Sequence, residues 1–138
     1  MQTFLPYEDF SMSAAVLDRS RLGKQRVEAW QILRALQGKT KGWVNHPATR
    51  MWAGAEYHLC LYGIVICTEW VQRGYNDTLL PKFWMEFAKY DCSPKPSWLG
   101  NPAFHASHRS VLLHKDADWY GNYLWEEEPS TQYVWPVK

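Results

Sequence analysis

Three cysteines stand in this chain of 138 residues, Cys60, Cys67 and Cys92, and no two of them form a CxxC pair or a metal-ligand spacing. That excludes a disulfide framework and a thiolate metal site, and it fits a reduced, cytoplasmic protein with core thiols. No Gly-rich phosphate loop, GxSxG or HExxH is present, so nucleotide hydrolysis, serine hydrolysis and zinc peptidase chemistry lack support. Met1 is followed by Gln2 and Thr3 with no basic leader, which predicts no signal peptide. The longest apolar run, Leu59 to Cys67, is far too short to span a bilayer. No cofactor and no membrane partner are expected.

A large net charge is also missing. The total is +1, but its distribution is uneven. Residues 18 to 50 carry eight Lys or Arg against Asp18 and Glu28, while the first seventeen residues carry −2 and residues 51 to 138 carry −3. Concentrated positive charge steers a polyanion, whereas the plainer alternative is a solvated basic face.

What is abundant is aromatic: nine Trp and eight Tyr. Aromatic side chains build small cores and also serve as stacking platforms for bases, so most belong inside and those in polar or Gly-rich surroundings are open to contact.

The length fits one domain, 1 to 138. A helix is predicted from Asp18 or Ser20 to Gln37, closed by Gly38. Its apolar stripe holds Leu22, Ala29, Leu33 and Leu36, and its polar stripe holds Arg21, Lys24, Glu28 and Gln31. Residues 38 to 49 read as a loop, and a second helix is expected from Pro47 to Arg73, buried through its centre. A short helix near Lys82 to Lys89 precedes a third long one, from Pro102 or Ala103 to about His114, with Asn101 as N-cap. Residues 1 to 12 read as a mixed arm, and the aromatic tail from Asp118 should wrap the surface. The expected architecture is all-α, with three main helices and long ordered loops.

Glu28 is the one carboxylate on the cationic stripe. It can serve as an ordinary ion-pair partner of Lys24, or as an acid or base placed beside phosphates. His105 and His108 share a helical face with Arg109 and Leu112. A metal pair, satisfied core histidines, and contacts to phosphate or a flipped base are all readings of that cluster. Asn45, His46 and Arg50 could join such a site.

In order and spacing these pieces resemble the pyrimidine-dimer DNA glycosylase/AP lyase family of the phage endonuclease V type. The helix LDRSRLGKQRVEAWQ is similar to the family's early helix, in which a glutamate lies among basic residues. QGKTKGWVNHP resembles its Gly-Lys loop, EWVQRGYND its central helix end, and FHASHRSVLLHKDADWYGNYLW its late helix and aromatic segment. The resemblance implies attack by an N-terminal amine on C1′ of the damaged nucleotide, followed by an imine and β-elimination. Bulky Gln2 should hinder removal of Met1, so either Met1 itself would supply the amine or the amine is not the nucleophile, and Glu28 would be the catalytic carboxylate. It further implies a monomer on double-stranded DNA with a flipped base. Arg21, Lys24, Arg26, Gln31, Asn45, His46, Arg50, His105, His108, Arg109, Trp119 and Tyr120 are the expected DNA contacts. Departures from the family pattern are Thr3 and Phe4, where a basic residue is expected near the N-terminus, and Val27 and Gln31, neutral where the family helix flanks its glutamate with cations.

Overall fold

The computed structural model describes residues 1–137; Lys138, the last residue of the expected tail, lies outside them. Among the described residues there are seven α-helices, one 3-10 turn and no strand, an all-α domain. Among the described residues no helix is long and apolar enough to cross a membrane.

The cationic helix, α2, runs Arg19–Leu36 and follows a short α1, Phe10–Val16. Gly38, at φ +73°, closes α2: its N–H donates to Ala35 O and that of Lys39 to Arg34 O. This is the paired bond pattern of a glycine-terminated helix, satisfying carbonyls the helix leaves open. Leu22, Ala29, Ile32 and Leu33 are buried, against the central helix α4, Glu56–Gln72. α5, Leu80–Phe87, also packs on α4. There Gly63 admits the Phe83 ring where any side chain would collide with it. α6, Pro102–Lys115, starts at Asn101, whose side chain accepts from Ala103 N and Phe104 N, as expected.

The second helix is not continuous from Pro47 to Arg73. The structure divides it into α3, Pro47–Arg50, and α4, with an irregular turn over residues 51–55. Two features break it. Gly54 takes φ +81°, and the Met51 carbonyl accepts from Trp98 Nε1 at 2.9 Å. Trp52 is thereby sunk into the core with its own Nε1 donating to Thr3 Oγ1.

The arm is not loose either. Phe10 onward is helical, with the Asp9 carboxylate capping Met12 N. Gln2, Thr3, Phe4 and Leu5 are buried. Beyond α6 the chain forms α7, Ala117–Tyr120, and a 3-10 turn, Gly121–Tyr123, then runs without regular structure over the surface. Tyr133 and Trp135 pack against the core from there.

Candidate active site at the N-terminus of the chain

Residues 2 to 5 are held by backbone bonds to side chains from three helices. Gln25, buried on α2, accepts from Phe4 N at 2.8 Å through Oε1, and its Nε2 donates to the Gln2 carbonyl at 2.9 Å. The same Nε2 donates to Glu28 Oε2 at 2.8 Å. Tyr62 of α4 closes the network, its hydroxyl 2.7 Å from Gln25 Oε1 and 2.9 Å from Phe4 O. Every polar atom of the Gln25 amide is therefore used.

α6 holds the next stretch. His108 Nδ1 accepts from Leu5 N at 2.9 Å, and His105 Nδ1 lies 2.7 Å from Leu5 O. Because His105 Nε2 accepts from Gly100 N, its proton sits on Nδ1 and is donated to Leu5 O. His108 is the opposite tautomer. Burial above all, and then the neighbouring His105, push the His108 imidazole down to about 3, so it stays neutral. Arg109 adds a bond to Pro6 O and pairs with Glu127.

These bonds place Met1 on one wall of a cleft of about 650 Å³, with Glu28, Arg21, Lys24 and Gln25 of α2 on another and Tyr133 of the tail and Lys115 beside them. Glu28 is half-buried, and among the described residues no ion pair ties it to Lys24. Its bond partner is Gln25. A second carboxylate, Asp18, also lines the cleft. Burial opposes its ionisation, but bonds from the Tyr120 hydroxyl and Arg21 outweigh that and hold it below the usual carboxylate range.

His46 caps α3, its Nδ1 accepting from Ala48 N at 3.0 Å. Burial, then the positive charges of the Met1 amine and Arg50, hold its imidazole below the ordinary value. Arg50 is exposed and bonds the Asn45 carbonyl. Gln31 is exposed and lines a neighbouring depression with Glu28, Lys24 and Trp70.

Of the remaining expected contacts, all but Trp119 are turned inward. His105 and His108 do share a face with Arg109, but that face grips Leu5 and Pro6, and fully enclosed His108 presents no atom to a duplex. Arg26 lies against the Trp70 ring, 4.6 Å from its centroid, and pairs closely with Asp77. Tyr120 is fully buried on Asp18. Trp119 is partly exposed, with its Nε1 donating to Val16 O. Among the described residues no group of three or more His, Cys, Asp or Glu is placed to hold a metal ion.

Sequence reasoning overlooked Gln25, Asp18, Tyr62 and Tyr133. Gln25 alone carried a usable signal, a neutral amide one turn before Glu28 on the flank between the polar and apolar stripes.

The pieces of this cleft, apart from Lys115, Asp116 and Tyr133, fall in the first 82 residues. A family model described as pyrimidine dimer DNA glycosylase matches residues 1–82, spanning the arm, the cationic helix and all of α4. No curated protein and no solved structure matches the chain significantly. With more than half of its length matched, the N-terminal arm and Glu28 included, the chain belongs to the pyrimidine dimer DNA glycosylase family.

Proposed function

We propose that the protein is a DNA repair glycosylase with AP lyase activity on damaged duplex DNA, pyrimidine dimers foremost. The observation that carries this reading is the sharing of one cleft by Met1 and Glu28, with Gln25 bonding both Glu28 and the carbonyl of Gln2, the residue next to Met1. The lone pair of the Met1 α-amine attacks C1′, and the N-glycosidic bond breaks with its electrons leaving on the base, which takes up a proton. Loss of the ring oxygen from C1′ gives an imine. Removal of a C2′ proton then expels the 3′ phosphate by β-elimination and nicks the strand. Glu28 stabilises positive charge developing on the sugar and relays protons. Arg21, Lys24 and Lys115 supply the cationic wall for the backbone.

A second reading, a DNA-binding protein without turnover, draws on Val27 and Gln31. Both are exposed neutral residues flanking Glu28, where the family resemblance implies cations.

Borohydride reduction on ultraviolet-irradiated or abasic duplex separates the two. The lyase reading expects a covalent adduct through residue 1, abolished by Glu28→Gln while DNA binding is kept or tightened. Tight binding with no adduct and no nicking leaves the second reading.

A further inference from the structure

Among the described residues two bulky side chains, Trp43 and Leu124, sit on a backbone conformation that ordinarily belongs to glycine. Trp43, in the loop between α2 and α3, has φ +66°, a left-handed geometry disfavoured by its Cβ. Gly42 stands immediately before it, so a sequence with the flexible residue one position later would have spared the strain. The indole is 51% exposed, so burial does not account for the conformation.

Its surroundings do. Trp43 meets the His46 ring edge-on with centroids 5.6 Å apart; His46 meets Trp135 at 5.8 Å, and Trp135 meets Tyr133 at 5.4 Å. Tyr133 lines the cleft of Met1 and Glu28. A continuous row of four rings therefore runs from the cleft wall to an indole standing out of the surface. The loop carrying it has exposed Lys39 and Lys41, and exposed Arg50 ties back to Asn45. Exposed aromatic surface between cations is the chemistry that holds a nucleobase while the backbone phosphates are neutralised.

We propose that Trp43 is a stacking wedge, placing its indole against a base of the duplex to one side of the nucleotide in the cleft. The proposal rests on the DNA-processing reading above and adds a contact which that reading does not require. The ring row behind the exposed indole makes the wedge rigid. Such stacking is tolerant of sequence, since every base has a π-face.

Trp43→Gly is the informative variant, because glycine relieves the backbone conformation while removing the ring. The expected result with a duplex containing an abasic site is a Kd raised roughly five- to a hundredfold, with an unchanged salt slope and a melting temperature equal to or above the parent's. Trp43→Phe should retain most of the affinity. The parent's intrinsic Trp fluorescence should be quenched on binding, with the Trp43→Phe variant losing part of that signal. A parent that binds the duplex while Trp43→Gly binds within twofold of it overturns the wedge alone. A parent that fails to bind the duplex overturns the wedge together with the DNA-processing reading.

Discussion

Gln25 and Glu28, one helical turn apart on α2, are joined by a 2.8 Å hydrogen bond from the amide to the carboxylate, and the same amide nitrogen holds the Gln2 carbonyl. One side chain thus sets both the orientation of the carboxylate and the path of the chain leading to Met1. Removing the amide should disturb both. Gln25→Ala leaves the Phe4 N–H short of an acceptor and the Gln2 carbonyl short of a donor in a buried site, a loss of about 2–4 kcal/mol. The measurement is denaturant unfolding beside single-turnover nicking of abasic DNA. Nicking should fall far more than DNA affinity, and equal losses in both would count against a positioning role.

Acid should weaken the fold before the carboxylates titrate. His108 is pushed down to about 3 and His105 is lowered as well, burial being the main cause for each. The unfolded chain binds protons at these imidazoles near pH 6.5 while the native chain does not, so stability is complete above that pH and falls below it. For His108 the loss proceeds from about pH 6.5 towards 3, at roughly 1.4 kcal/mol per pH unit, or about 3 kcal/mol by pH 4.5. Unfolding curves at pH 7.5, 6.5, 5.5 and 4.5 test this; a flat profile across them would be inconsistent with a neutral buried His108.

Two cations of α2 should behave in opposite ways. The Asp77 side chain is almost wholly buried against Arg26, so Arg26→Ala strands a buried carboxylate at a cost of about 3–5 kcal/mol. The salt dependence of DNA binding should hardly change. Lys24 is exposed and forms no ion pair among the described residues. Lys24→Ala should leave stability within about 0.5 kcal/mol and reduce the salt slope by about one.

Gly63→Ala should destabilise without touching the cleft. The added methyl runs into the Phe83 ring at the contact of α4 with α5, and overpacking of this kind costs about 1–3 kcal/mol or more. A lowered melting temperature with normal nicking below it is the expected outcome.

Much of the scaffold was legible in the residue order. The span of α2, its closing Gly38 and the Asn101 cap of α6 follow from local rules, because caps and helix periodicity act over a few residues. The break at residues 51–55 did not, since the carbonyl of Met51 is diverted by Trp98, far along the chain. The FHASHR cluster shows the same limit. Its spacing correctly placed His105, His108 and Arg109 on one face, but nothing in the spacing says whether that face meets solvent or another segment. It meets Leu5 and Pro6.

By itself the sequence determined an all-α chain, a cationic helix bearing Glu28, and a family. These are properties of periodicity, local charge and motif order, each set by neighbours within a few turns. Only the tertiary structure decided which polar groups face the cleft. Burying residues 2 to 5 obliges each of their backbone N–H and C=O groups to find a partner, and Gln25, Tyr62, His105 and His108 are drawn inward to supply most of them. That long-range hydrogen bonding places Met1 on the cleft that Glu28 also lines, across a separation in the chain that no local pattern spans.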